Sequence, residues 1–251
     1  MKDEKNSRPL SDRLEHLIAL AGTGEMIADV GCDHAYVSIR MITEGRFKKA
    51  VAMDVRKGPL QIADAHIKEE GLEEYIECRL SDGIEHLKAG EADCILIAGM
   101  GGPLMCRILS QGWDKITNPS YAFPRLILQP QSEIAEVRKF IRTAGFSIEE
   151  EDMVFEDGKY YVMFRAVEGK DGDKEVRPEM QDIYDHYGEY LLRHKNPVLK
   201  EYLLWQQSVE EKVLEGLKNS KDEERARERS VEVKKKQDRI AGALACFAVE
   251  R

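Results

Sequence analysis

The sequence predicts an α/β fold, a Rossmann-like and mainly parallel sheet with helices on both faces, followed by an α-helical coiled-coil domain. Three observations predict it. Short apolar runs alternate with amphipathic stretches over the N-terminal part of the chain. The first of these runs passes into a glycine-bearing loop, residues 27–35, IADVGCDHA. Beyond residue 178 no strand pattern is evident, and from Leu199 onward apolar and polar residues recur at alternating steps of four and three.

Strands are expected over residues 26–31, 49–55, 76–81, 92–99 and 125–130, with helices over 35–43, 59–70, 103–111 and 132–143. Pro59 and Pro103 suit first-turn helix positions, and Ser132 suits an N-cap. The pattern then changes. In FSIEEEDMVFEDGKYYVMFRAV, apolar and polar residues alternate on each side of Asp157-Gly158, which reads as an antiparallel pair ending the sheet. A parallel sheet finished by a hairpin suits a class I methyltransferase better than a dehydrogenase, an argument from analogy. The segment EGKDGDKEVRP is a polar linker, so the expected division is residues 1–167 for the sheet domain and 168–251 for the helical one. In the tail, Leu199, Leu203, Gln206, Glu210, Val213 and Leu217 form one seam and Ala226, Ser230, Val233, Gln237, Ile240 and Leu244 another, with KNSKD as the turn between two antiparallel helices. Such a hairpin has a plain alternative role in stabilisation or dimerisation.

Composition bounds the function. A chain of 251 residues, 42% hydrophobic and 34% charged, accommodates one α/β domain and a smaller appendage. No apolar run approaches the roughly 20 residues that span a bilayer, and the charged N-terminus MKDEKNSRPLSDRLEHL is unlike a signal peptide, so a cytoplasmic location is expected. The five cysteines contain no C-x-x-C pair, so neither a metal site nor a disulfide framework is expected. A net charge of −9 disfavours wrapping nucleic acid over the whole surface. Residues 170–251 hold 17 Lys+Arg and 18 Asp+Glu, leaving −8 in the first 169 residues and a nearly neutral tail that can carry a local basic patch.

The first loop excludes one ligand class. In a dinucleotide loop, glycines let backbone N–H groups approach a pyrophosphate at a helix N-terminus. Here Asp33 replaces glycine, and two unit charges about 4 Å apart repel by roughly 4 kcal/mol at an effective dielectric near 20. S-adenosylmethionine lacks phosphate and carries an ammonium and a sulfonium, so carboxylates become assets. Asp29 and Asp33 then face its amino-acid end, Gly31 keeps the loop close, and His34 donates to its carboxylate. Asp33 as a cap of the following helix is the structural alternative.

Asp54 ends the second strand in AMDV, where a carboxylate can accept from both ribose hydroxyls. The third strand ends in LSDG, which places Asp82 and Gly83 by the adenine ring, with Asp82 suited to its exocyclic amine. The fourth ends in IAGMGG. Gly99, Gly101 and Gly102 there would let a flat base approach the sulfonium methyl, with Met100 lining the base pocket, unless the loop is simply a tight turn before Pro103.

Together LSDRLEHLIAL, ADVGCDHAYVSI, AMDV, SDG, IAGMGG and LILQP resemble the bacterial tRNA (adenine-N1)-methyltransferase family that modifies adenine 22, often called TrmK. The resemblance spans nearly the whole chain, and its most specific parts are the D-x-G-x-D-H-A and A-G-M-G-G loops in this order. It implies S-adenosylmethionine as cofactor, tRNA as partner, Gly31, Asp33, His34, Asp54, Asp82 and Gly83 on the cofactor side, and residues 99–102 at the reacting centre. It also implies a base contact near Gln129 of LILQP. The family often has Asn after this Gln-Pro, where this chain has Gln131.

Adenine N1 has a free lone pair when unpaired, so transfer needs orientation and electrostatics rather than a strong base, and no catalytic side chain is assigned. For RNA, Arg46, Lys48 and Lys49 form one basic cluster, Arg56 and Lys57 follow Asp54, and residues 225–239 carry seven basic against three acidic residues, Lys234, Lys235 and Lys236 among them. Three alternatives remain at this point: a methyltransferase for a small molecule or protein, a non-catalytic RNA-binding protein of the same fold, and an NAD-dependent oxidoreductase, the last disfavoured by Asp33.

Overall fold

The computed structural model describes residues 10–169, 176–218 and 222–248. Seven strands, β1 (Gly24–Val30), β2 (Phe47–Asp54), β3 (Ile76–Leu80), β4 (Cys94–Met100), β5 (Arg125–Pro130), β6 (Phe146–Glu156) and β7 (Lys159–Glu168), form one sheet in the order β3-β2-β1-β4-β5-β7-β6. The first five run parallel, and β7 pairs antiparallel with both β5 and β6. The expected hairpin therefore closes the sheet. Every expected strand is present, with ends shifted by a few residues. β1 stops at Val30 because Gly31 turns to φ +76° and leaves the ladder.

Alternate residues of the strands feed two cores. Ile27, Ala50, Ala52, Leu96, Ile127 and Met163 face one, which also contains Leu17, Ile18, Val37, Met41, Ala63 and Ile67. These come from α1 (Asp12–Ala21), α2 (Tyr36–Thr43) and α3 (Lys57–Glu69). Ala28, Val30, Val51, Ile95, Ile97 and Leu128 face the other core. There they meet α4 (Gly102–Gln111), the short α5 (Trp113–Ile116) and α6 (Ile134–Thr143). The parallel strands read as continuous apolar runs because both of their faces are buried.

Ser132 does not cap α6. The N-cap is Glu133 at φ +46°, with no side-chain cap bond. Ser132 instead receives the N–H of Gly102 on its carbonyl and its hydroxyl, at 3.2 and 3.3 Å, which ties the start of α4 to the end of β5.

The C-terminal part contains α7 (Pro178–Tyr187), α8 (Glu189–Arg193), α9 (Pro197–Lys218) and α10 (Glu223–Ala248). The sequence pattern foreshadowed only the last two. Being consecutive, closely joined and packed together, α9 and α10 run antiparallel. Residues 170–175 of the expected linker and 219–221 of the expected turn lie outside the described residues.

Of the expected seams, Leu199, Leu203, Glu210, Val233 and Ile240 are buried. Three of the polar interruptions have partners: Glu210 pairs with Lys236, Gln206 accepts from the Tyr187 hydroxyl, and Ser230 donates to the Ala226 carbonyl. The second core runs on from the sheet into these helices through Ile183, Tyr187, Leu199 and Ile240. At the joint, buried Arg138 of α6 donates to Glu151 of β6 at 2.7 Å and to the carbonyls of Asp185 and His186 in α7 at 3.0 Å.

Among the described residues no disulfide forms. Cys32 and Cys94 are buried, and burial pushes the Cys94 thiol up to about 12. No described helix is long and apolar enough to cross a membrane, and no group of three or more described metal-ligating side chains comes together.

Candidate cofactor pocket

The loop after β1 is held from three sides. The N–H groups of Gly31 and Cys32 both donate to the Met53 carbonyl of β2, at 2.8 and 3.0 Å. The Ala35 N–H donates to the Cys32 carbonyl, and His66 of α3 donates from Nδ1 to the His34 carbonyl at 3.1 Å. These bonds keep Asp33 and Ala35 at φ +50° and +60°, a backbone region that non-glycine residues adopt only when their surroundings enforce it. Asp33 is consequently turned outward and makes no cap bond to α2. At Gly31, φ +76° strains any side chain, and a Cβ would also displace the flexible tip of Met100, 2.3 Å away.

A cavity of about 660 Å3 lies beyond the carboxyl ends of β1, β2 and β4, the position at which open α/β sheets bind ligands. Asp29, Asp33, Asp54 and Asp82 all line it, as do Gly31, Gly83, Gly99 and Met100. Asp54 is buried and accepts the Arg56 N–H on Oδ1 at 2.8 Å. Arg56 and Arg107 stand 3.6 and 3.8 Å from the carboxylates of Asp54 and Asp82. Asp29 accepts from the Ser38 hydroxyl at 2.7 Å and from the Ser38 backbone, with no cation among the described residues beside it. Burial, with a smaller push from nearby Asp54, raises its pKa from 3.8 to about 6 despite those bonds. A buried carboxylate of this kind favours a cationic ligand and repels a phosphate.

Other expected site residues fall elsewhere. His34 does not line the cavity; its ring lies edge-on to Tyr36 and His66, at 5.8 and 6.1 Å. Gln129 is wholly buried, and its Oε1 accepts both the Gly99 N–H at 3.0 Å and Arg13 Nη1 at 3.1 Å. It braces the wall and offers no surface to a base. Gly101 and Gly102 also lie outside the wall of this cavity. At Gly102 a Cβ would sit 2.6 Å from the Ser132 carbonyl, so this glycine is required by the close packing of α4 on the end of β5.

Lys234 and Lys235 are exposed on α10, whereas Lys236 is tied to Glu210. Arg46, Lys48 and Lys49 lie at the amino end of β2, the sheet edge opposite the cavity, where Arg46 pairs with Glu44 and Lys48 with Glu25.

Sequence reasoning missed Arg13, Ser38 and Tyr36. Arg13 projects from α1 into the cavity wall and stacks its guanidinium 5.3 Å from the Tyr161 ring. Its signal was the spacing of Leu14, Leu17, Ile18 and Ala21 behind Ser11, which writes an amphipathic helix and fixes which way Arg13 points.

A parallel sheet closed by an antiparallel hairpin, with acidic turns at three successive strand ends, defines a class I methyltransferase domain. In agreement, residues 10–164 match the family described as "Methyltransferase domain". The tRNA (adenine(22)-N(1))-methyltransferase of Bacillus subtilis (strain 168) is 32% identical over 227 residues, covering 89% of this chain and 93% of its own. The crystal structure of Bacillus subtilis TrmK matches with a TM-score of 0.81 at 29% identity, covering 94% of this chain and 98% of that one. A Streptococcus pneumoniae protein solved in complex with S-adenosyl-L-methionine matches at 0.78 and 30%, covering 94% and 100%. The chain belongs to the tRNA (adenine(22)-N(1))-methyltransferase family.

Proposed function

We propose that this protein transfers the methyl group of S-adenosylmethionine to N1 of adenine 22 in tRNA. The reading is carried by one observation: the aspartates at the ends of β1, β2 and β3 converge with Asp33 on one cavity, in a chain aligned over nearly its full length with an enzyme of that activity. The cavity fits the cofactor on its own chemistry, because Asp29 is buried without a cationic partner and gains one from an ammonium or sulfonium. S-adenosylmethionine supplies, when bound, an electrophilic methyl group on a positively charged sulfur.

Within this reading each residue has one task. Asp54 accepts from the ribose hydroxyls, Asp82 accepts from the exocyclic amine, and Asp29 and Asp33 face the cationic amino-acid end. The exposed side chain of Val55 offers an apolar wall to the purine. Gln129 holds Gly99 and Arg13 so that the β4 loop keeps its shape when a base arrives. The new N1–methyl bond forms from the nitrogen lone pair as the sulfur–methyl bond breaks; the electron pair stays on sulfur and the positive charge passes to the ring. No proton leaves N1, so the chain need supply orientation and negative potential but no base. Because N1 lies on the pairing edge, the adenine must be unstacked when it reacts. Exposed Lys234 and Lys235 are assigned to tRNA phosphates.

Incubation with methyl-labelled S-adenosylmethionine and unmodified tRNA, followed by nucleoside analysis, tests the reading. Label in 1-methyladenosine from position 22, with none in DNA or free adenosine, is expected. Label in another nucleoside or in protein, or no turnover, refutes it.

A further inference from the structure

A second cavity, of about 700 Å3, opens past the carboxyl end of β5 between the β6–β7 hairpin and α9. It backs directly onto the cofactor cavity. Pro130 and Gln131 line it, the Gln131 N–H donates to the Met100 carbonyl at 2.8 Å, and Gly99 and Met100 line the cofactor side.

Its mouth is aromatic. The Tyr160 ring stands 4.6 Å from Phe155, 4.9 Å from Tyr202 and 6.1 Å from Trp205, centroid to centroid. Phe155 and Trp205 are 55% and 53% exposed. Adjacent aromatic faces left to water at the rim of a concave site mark a binding surface rather than core packing.

Charge distinguishes its ligand. The chain carries 47 Asp and Glu residues and a net charge of −9, yet no carboxylate lines this cavity; exposed Lys159 does, while Arg138 in its wall is buried against Glu151. Four aspartates line its neighbour. Flat π-faces beside a lysine and tyrosine hydroxyls suit a nucleobase on a polyanionic strand, since stacking on aromatic side chains accepts any base and Lys159 accompanies the backbone.

Resting on the tRNA methylation reading, we infer that the Phe155–Tyr160–Tyr202–Trp205 cavity stacks an unstacked tRNA base next in the strand to the reacting adenine. The shared wall at Gly99, Met100, Pro130 and Gln131 separates the two bases. The aromatic cavity thereby pulls the strand open at the point where the methyl donor waits.

The test uses the full chain with Phe155→Leu and Trp205→Leu combined, which keeps apolar bulk and removes the π-faces, beside Phe155→Tyr with Trp205→Phe, which keeps them. In the leucine variant kcat/KM for tRNA is expected to fall roughly 5- to 150-fold, while the aromatic variant stays within a few-fold of the parent. Affinity for S-adenosylmethionine and the melting temperature are expected to be unchanged in both. A Trp113→Phe background isolates Trp205 fluorescence, which unmodified tRNA is expected to quench and an RNA duplex of equal length is not.

2-Aminopurine placed in turn at the reacting position and at each flanking position of the tRNA locates the stacked base. Quenching of a flanking probe that disappears in the leucine variant is the predicted result. Quenching confined to the reacting position, equal loss in both variants, normal kcat/KM in the leucine variant, or a dimer that dissociates in that variant each overturn the inference. If the parent fails to methylate tRNA but Trp205 is still quenched, the activity falls and the cavity assignment stands.

Discussion

Around the ends of β1, β2 and β3 the cavity wall carries Asp29, Asp33, Asp54 and Asp82, whereas past β5 the adjoining wall carries Phe155, Tyr160, Tyr202 and Trp205 and no carboxylate. The first region is built from turns fixed by short backbone bonds within the parallel sheet. The second is assembled from a hairpin and a helix that approach from distant parts of the chain. The difference teaches that one end of the sheet, on the reading proposed above, meets two opposite demands: negative potential for a small cationic donor, and the absence of it for an RNA strand. Gln129 is the brace between them, holding Gly99 on one side and Arg13, with Tyr161 beneath it, on the other.

The largest expected effect breaks the aromatic region from behind. Arg138→Met leaves Glu151 buried and unpaired and frees the carbonyls of α7, so stability should fall by about 3–5 kcal/mol in urea unfolding at pH 7. Adding Glu151→Leu should return most of that loss, since the cost lies in the orphaned charge.

The next effect belongs to the acidic region. Below pH 3.8 Asp29 is protonated in both folded and unfolded protein and costs nothing. Between 3.8 and about 6 the unfolded chain releases a proton that the folded protein keeps, so stability falls as pH rises, and the full penalty persists above about 6. Asp29→Asn should flatten that window and stabilise the ligand-free protein by roughly 2–3 kcal/mol at pH 7, while weakening the methyl donor. Thermal melts across pH measure the first change and calorimetry the second.

Asp54→Ala should weaken S-adenosylmethionine roughly 10- to 100-fold in calorimetry, the loss of hydrogen bonds to one buried carboxylate, with tRNA affinity retained. The smallest effect is at the rim. Lys234→Glu with Lys235→Glu should flatten the slope of log affinity for tRNA against log salt by about 2 and leave the donor alone. Lys236 is excluded from that test because removing it would strand buried Glu210.

The acidic region was legible in the sequence because its determinants are local. Continuous apolar runs mark strands buried on both faces, and a carboxylate at the end of such a run faces the ligand edge, so Asp54 and Asp82 could be placed from their neighbours alone. The Asp157-Gly158 turn likewise announced its hairpin. The aromatic region was not legible, since Tyr160 and Trp205 meet only after the hairpin and α9 have docked on the same core.

Residues with two possible partners were the hardest to place for the same reason. Ser132 serves Gly102 instead of its own helix, His34 lies edge-on to Tyr36 and His66, and Lys236 pairs with Glu210. α1 was overlooked although Leu14, Leu17, Ile18 and Ala21 have helical spacing, and with it went Arg13.

The division between the two regions is tested most directly by measuring both affinities, for S-adenosylmethionine and for unmodified tRNA, on Asp54→Ala and on the Phe155→Leu/Trp205→Leu double variant in one buffer. The account predicts a crossed result: the aspartate variant loses the donor and keeps the tRNA, and the leucine variant loses the tRNA and keeps the donor. If both ligands weaken together in either variant, or the donor binds Asp54→Ala as it binds the parent, the account is contradicted.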